Sequence, residues 1–199
     1  MCNPATFLIT RSRVLWSVDH DSHEELIREA GLSDGLRGGD FVRAEISPPD
    51  NDYSLPLGQW VYRTDQDTVP DWYDEREAEI AACAELPAWA EHHLVRDGQV
   101  EVRDGQSRVL LGDARAEVHG GVVRCHGESR AEVHGGWVGC FGQSRAEVHG
   151  GEVRCHGESR AEVHGGVVEC YGESHAEVHG GVVRCDDQAT MDDRRPPNV

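Results

Sequence analysis

Ala116-Glu117-Val118-His119-Gly120-Gly121-Val122-Val123-Arg124-Cys125-His126-Gly127-Glu128-Ser129-Arg130 is followed by a near copy of itself. The block Ala-Glu-Val-His-Gly-Gly that opens it begins again at Ala131, Ala146, Ala161 and Ala176. Cys recurs in step at Cys125, Cys140, Cys155, Cys170 and Cys185. Each interval is 15 residues, without insertion or deletion. A fixed period of this kind marks a stack of identical supersecondary units.

Inside one copy the pattern has period two. Val123, Cys125, Gly127, Ser129, Ala131, Val133 and Gly135 are small or apolar. They alternate with Arg124, His126, Glu128, Arg130, Glu132 and His134. Such alternation predicts strand, with one set facing inward and the other facing water. The register slips by one at Gly135-Gly136, and the next inward series starts at Val138. A Gly pair suits a sharp corner because Gly accepts positive φ. Gly and β-branched Val at this density oppose a helix. The predicted fold is therefore mainly β: a β-solenoid of 15 residues per coil spanning residues 96–188. Five or six coils spaced ~4.8 Å apart make a rod roughly 25–30 Å tall. Val95 to Ala114 reads as an irregular first coil, in which Leu110, Gly112 and Ala114 take the phases of Cys125, Gly127 and Ser129. At the far end the repeat gives way at Asp186-Asp187, and residues 189–199 read as a charged, Pro-containing, disordered tail.

Charge is unevenly distributed. The chain of 199 residues has a formal net charge of −18 and no Lys, so its 19 basic residues are all Arg. That usage is the one expected of a GC-rich bacterial or phage genome. Residues 1–95 hold 19 Asp/Glu against 7 Arg, a net −12, whereas residues 115–185 hold 10 Glu against 7 Arg, a net −3. An acidic domain repels nucleic acid and anionic membrane surfaces, so neither is an expected partner. No apolar run reaches the ~20 residues of a membrane-spanning helix. Met1-Cys2-Asn3-Pro4 lacks the basic start of a signal peptide, and the expected compartment is the cytoplasm.

Residues 1–95 read as a small acidic α+β domain that caps the first coil. Thr6 to Trp16 predicts a hairpin broken at Arg11-Ser12-Arg13. Ser22-His23-Glu24-Glu25 is a capping box that opens a short helix ending at Gly31. Phe41 to Ile46 and Gln59 to Arg63 predict strands, and Asp74 to about Val95 predicts a helix interrupted near Pro87.

The segments Met1-Cys2-Asn3-Pro4, Arg13-Val14-Leu15-Trp16, Asp21-Ser22-His23-Glu24, Phe41-Val42-Arg43-Ala44-Glu45-Ile46, Asp65-Gln66-Asp67 and Pro70-Asp71-Trp72-Tyr73 carry a resemblance. Together they resemble an N-terminal domain of uncharacterised bacterial and phage proteins that continue into Ala-x-Val-x-Ala-x-Gly solenoid repeats. The resemblance spans most of the chain and implies the same two-part architecture. It brings no catalytic residues. The present repeats depart from it by placing Gly or Cys where that family tends to have Ala.

Candidate sites follow from the rows that stacking creates. Val123 with Cys125, Cys140, Cys155, Cys170 and Cys185 reads as structural core, Cys being a small hydrophobe when buried. Neighbouring Cys at the coil spacing also lie within disulfide range. Outward, Glu117, Glu132, Glu147, Glu162 and Glu177 form one row, and His119, His134, His149, His164 and His179 form the next. Arg115, Arg130, Arg145 and Arg160 flank the Glu row and offset its repulsion. Imidazoles ~5 Å apart beside carboxylates can chelate Zn, Ni or Cu, although a solvated ladder copied by duplication is the simpler reading. The second outward face varies: Val122, Trp137, Glu152, Val167, Val182 in one row and His126, Phe141, His156, Tyr171, Asp186 in another. Trp137, Phe141 and Tyr171 make a candidate protein-contact platform, with Gly139 between the first two. Cys2 as an N-terminal nucleophile, and cation binding by Asp19-His20-Asp21 with His23 or by Asp65-Gln66-Asp67, are weaker candidates. Walker, Rossmann, Ser-His-Asp and zinc-finger spacings are absent.

The expected function is a non-enzymatic scaffold or binding protein that presents outward rows to a protein partner or to itself as a homo-oligomer, without a cofactor. The alternatives are a metal-binding or sequestering protein using Zn or Ni on the His/Glu rows, and an acidic DNA mimic. The near-balanced charge of residues 115–185 opposes the last.

Overall fold

A computed structural model describes residues 4–33, 39–186 and 188–196. The chain divides into two compact units, Met1–His92 and His93–Val199, slightly before the boundary expected at residue 95.

In the first unit β1 (Thr6–Thr10), β2 (Val14–Leu15), α1 (His23–Glu29), β3 (Phe41–Ser47), β4 (Val61–Thr64) and α2 (Glu75–His93) follow in order. The strands form an antiparallel sheet in the order β2-β1-β3-β4. The hairpin turns where Thr10 Oγ1 accepts from the Arg13 N–H at 3.1 Å and donates to the Arg13 carbonyl at 2.8 Å. Ser22 caps α1 by accepting from the Glu25 N–H, while the Glu25 carboxylate turns to Arg28. The helix stops as predicted, at Gly31 with φ 64°, where Leu32 N–H reaches back to the Ile27 carbonyl. Two expectations change. The predicted strand from Gln59 starts at Val61, because Leu57–Gln59 closes a 3-10 turn first. Pro87 does not interrupt α2, which runs through it. Pro87 and Cys83, whose carbonyl loses its helical donor, are both exposed, so water can take that bond. The opposite face of α2 buries Ala78, Ala82, Leu86 and Trp89 at helical spacing.

The second unit is a β-solenoid, as predicted. Its opening strands are β5 (Leu94–Val95), β6 (Gln99–Val102), β7 (Ser107–Leu110), β8 (Arg115–Val118) and β9 (Val122–Cys125). The central ones are β10 (Arg130–Val133), β11 (Trp137–Cys140), β12 (Arg145–Val148), β13 (Glu152–Cys155) and β14 (Arg160–Val163). It closes with β15 (Val167–Cys170), β16 (His175–Val178), β17 (Val182–Cys185) and β18 (Thr190–Asp193). Alternate strands belong to two parallel sheets, one ordered β5 to β17 through the odd numbers and one β6 to β18 through the even numbers. Pairing is in register, so each residue sits beside its equivalent one coil away, as Ala131 does between Ala116 and Ala146. Ala and Val of the even sheet and Val and Cys of the odd sheet face each other across a core with side chains at or near zero exposure.

Three details differ from the sequence reading. Each sheet has seven strands, so the stack is longer than five or six coils. The added strands keep the register without the repeat's letters: Val100 and Val102 lie beside Ala116 and Val118, and Met191 lies beside Ala176. For the same reason residues 190–193 are not a disordered tail; β18 pairs along β16 and satisfies its edge. Finally, each coil has two corners. Gly127 and Gly135, predicted to face inward, sit at corners instead, Gly127 with φ 68°. Ser129, beyond the first of them, is fully buried.

Leu110 pairs with Cys125, as the first-coil reading expects. That coil redistributes its residues. The corner Arg103-Asp104-Gly105-Gln106 is one longer than His119-Gly120-Gly121, and Arg96-Asp97-Gly98 is one shorter than Leu111-Gly112-Asp113-Ala114, so the period is conserved.

Candidate contact surfaces of the solenoid

The inner Cys row lies in the core. Cys125, Cys140, Cys155 and Cys170 are buried, Cys185 is partly exposed at the end of the row, and all are free thiols. Hydrogen bonding among stacked thiols, together with burial, pushes the Cys140, Cys155 and Cys170 pKa values well above the ordinary range. Cys185 is raised to about 11, chiefly by burial. Groups held as thiols make poor nucleophiles and poor metal ligands.

On the outer face of the even sheet the His and Glu rows combine. His119, His134, His149, His164 and His179 stack with ring centroids 5.1, 5.2, 5.2 and 5.0 Å apart and planes 11–13° from parallel. Each Nε2 lies beside the Glu Oε1 of its own coil: 3.0 Å for His119–Glu117 and 3.2 Å for His134–Glu132, His149–Glu147, His164–Glu162 and His179–Glu177. The strand causes this pairing, since residues i and i+2 share a face. The expected offsetting of Glu by Arg is replaced by these His contacts. Among the described residues, the side chains of Arg115, Arg130, Arg145 and Arg160 make no ion pair or hydrogen bond within the chain.

Metal-ligand geometry is only approached. Ligand atoms of Glu117, His119 and His134 lie within 4.8 Å of one another. A tetrahedral Zn with bonds of about 2.0–2.1 Å holds its ligand atoms about 3.3 Å apart, and the 3.0 Å between His119 Nε2 and Glu117 Oε1 is close to that. A second cluster forms in the first unit from His23, Glu45 and Asp65. There His23 Nε2 donates to the Ala44 carbonyl at 3.1 Å and Nδ1 lies 3.5 Å from Asp65 Oδ2. Glu45 has no metal-ligand signal in the sequence, because strand β3 brings it in from a separate segment. Of the other acidic candidates, Asp21 accepts the Thr6 N–H at 2.7 Å and His20 lies 3.1 Å from Glu29. Cys2 lies outside the described residues.

The outer face of the odd sheet carries the aromatics. Trp137, on β11, lies between Val122 and Glu152. Its ring and that of Phe141 converge over Gly139, where a Cβ would come within 2.8 Å of Trp137 and 3.0 Å of Phe141. Glycine here is the floor on which both rings rest. From Phe141 a stack extends along the corner: His126–Phe141 4.9 Å, Phe141–His156 5.1 Å and His156–Tyr171 5.0 Å, with planes within 13° of parallel. Tyr171 donates to Glu169 at 3.1 Å, and Arg154 Nε forms an ion pair with the same carboxylate at 3.1 Å. Burial, with Arg124 adding to it, pushes the His126 pKa down to about 4, and burial followed by Arg154 lowers that of His156. Both rings are therefore uncharged at neutral pH and extend the aromatic surface. Sequence spacing puts His126 and His156 in the row of Phe141 and Tyr171, but ring-to-ring stacking is what joins them to the platform.

Comparison with protein-family models, with curated proteins and with solved structures finds no match. No helix among the described residues is long and apolar enough to cross a membrane.

Proposed function

We propose that the chain is a non-enzymatic binding scaffold whose solenoid holds a protein partner against Trp137, Phe141 and Tyr171. The observation that carries this reading is the convergence of Trp137 and Phe141 over Gly139, continued by the four-ring stack. Aromatic rings pre-ordered on a rigid sheet lose little side-chain freedom when a partner lands on them, and such residues dominate contact energies. The charged groups beside them are tied into the Arg154–Glu152 and Arg154–Glu169 pairs, both 3.1 Å, and so form a polar rim. The test is affinity capture from the native host, comparing the full chain with Trp137→Ala/Phe141→Ala. A protein retained by the first and lost by the second supports the reading. Equal retention, or none by either, overturns it.

A second reading is metal binding by the His and Glu rows, favoured by the Glu117, His119 and His134 cluster. Titration of untagged protein with Zn or Ni tests it. Saturation at one or more ions per chain, abolished by His119→Ala/His134→Ala, supports it; stoichiometry well below one sinks it.

A further inference from the structure

The outer face of the even sheet has an order of charges with a geometric consequence. Across one coil the outward residues run Glu128, Arg130, Glu132, His134. The next coils repeat it as Gln143, Arg145, Glu147, His149 and Glu158, Arg160, Glu162, His164. In-register stacking turns these into straight rows. The His row contacts the inner Glu row, while the Arg row stands between two grooves without a partner of its own. One groove, about 700 Å³, runs between the Arg and inner Glu rows over an Ala floor; the other, about 570 Å³, separates the Arg row from the corner residues Gln143, Glu158 and Glu173.

Four unpaired guanidinium groups stacked at the coil spacing repel one another unless anions come between them. This surface supplies such anions when turned on itself. Consider two copies face to face, related by a twofold axis parallel to the stacking direction and passing between the Arg and inner Glu rows. The operation exchanges left and right and leaves height unchanged. Arg130 of one copy then faces Glu132 of the other, and Glu132 faces Arg130. The outer rows follow, Glu128 opposite His134 and His134 opposite Glu128. A twofold axis along the strands would instead set Arg against Arg and Glu against Glu. The pattern is self-complementary in the parallel arrangement only.

We propose that this face binds a second copy of the chain, giving a parallel dimer joined by interleaved Arg and Glu rows. The proposal concerns the sheet opposite the aromatic platform and stands or falls apart from it. Four Arg-bearing coils, at Arg115, Arg130, Arg145 and Arg160, contribute two cross-pairs each, eight in all. The face measures about 24 Å, from five coils at ~4.8 Å, by about 20 Å, from six residues at ~3.3 Å. That is on the order of 500 Å² per copy, at the lower limit of specific interfaces, so association is weak and reversible. Being made of exposed charges, it weakens steeply with salt, because at 1 M the screening length shrinks to about 3 Å.

The experiment is mass measurement by sedimentation equilibrium on the full chain at low and high salt. The wild-type chain of 22.0 kDa is expected to approach about 44 kDa at low salt and high concentration, and to revert at high salt. Arg130→Glu/Arg145→Glu/Arg160→Glu is expected to be monomeric, and so is Glu132→Arg/Glu147→Arg/Glu162→Arg. An equimolar mixture of the two is expected to form a heterodimer, since the first now offers acid at both central rows and the second base. Should either triple variant misfold by circular dichroism, Arg145→Gln/Arg160→Gln, expected to weaken dimerisation at least tenfold, takes its place. Trp137→Ala/Phe141→Ala is expected to dimerise normally. A wild-type monomer at low salt, undiminished dimerisation of the reversed or neutralised variants, or no association in the mixture overturns the proposal.

Discussion

Replacing Gly136 and Gly142 by Ala, one at a time, separates two reasons for glycine in this fold. Both have positive φ, 78° and 65°. At Gly142 the nearest atom to an added Cβ is Gly127 N at 3.9 Å, an ordinary contact. The cost there is that of the left-handed backbone alone, about 1–2 kcal/mol. At Gly136 the Cβ would meet Gly120 C at 2.6 Å, Gly121 O at 2.7 Å and Gly120 Cα at 2.9 Å. These are backbone atoms of the coil below, held by ladder bonds such as Trp137 N–H to Gly121 O at 2.9 Å. Separating the coils locally loses about one such bond, ~1 kcal/mol, and overpacking adds about 1–3 kcal/mol. With the backbone cost, Gly136→Ala should destabilise by about 3–6 kcal/mol, against about 1–2 for Gly142→Ala. Urea titration followed by far-ultraviolet circular dichroism reads the difference as separate midpoints. Equal midpoints for the two variants, or a Gly136→Ala midpoint at the wild-type value, would refute the argument that close coil-to-coil approach dictates the Gly pair.

Val148→Ala, at a fully buried mid-stack position, should cost about 1.5–3 kcal/mol in the same titration. Acidification should destabilise the solenoid: the His126 pKa falls from 6.5 unfolded to about 4 folded, so stability is complete above pH 6.5 and is lost as pH falls toward 4. The loss is on the order of 3 kcal/mol. His126→Phe, matching Phe141 one coil on, should flatten that slope in urea midpoints measured against pH. Of the six described cysteines, Cys83 should react with a thiol reagent in the native state and Cys125, Cys140, Cys155 and Cys170 only on unfolding; rapid native labelling of those four would contradict their packing in the core.

Much of the fold is written in the repeat, and the places where reading failed have a common cause in parity. The corner His119-Gly120-Gly121 has an odd number of residues, so the inward phase slips there and the break is visible. The corner His126-Gly127-Glu128-Ser129 preserves the phase: Cys125, Ser129 and Ala131 are all inward, and the alternation runs through the corner unbroken. Only φ at Gly127 reveals the turn. At the ends the geometry outlasts the letters, since Thr190-Met191-Asp192-Asp193 has little strand character and still continues the ladder from β16. Rows on the surface were legible from the spacing, but partners within them were not. Which neighbour Glu132 chooses depends on side-chain reach: His134 lies 3.2 Å away on the same strand, while Arg130 is left to solvent. His23 and Asp65 stand out in the sequence as members of two separate candidate cation sites, but their meeting with Glu45 has no local signal, because antiparallel pairing and a helix start assemble the cluster from three segments.

The central claim is that identical residues stack because the coil is 15 residues long, and removing one coil tests it most directly. Deleting residues 146–160 takes out one full period and joins Arg145 to Ala161. The shortened protein should keep its β circular-dichroism signal and unfold cooperatively. Deleting residues 146–159 instead shifts every later residue by one, turning inward side chains out and outward ones in, and should abolish folding beyond that point. If both deletions are tolerated alike, or the full-period deletion collapses as the other does, the in-register solenoid is contradicted.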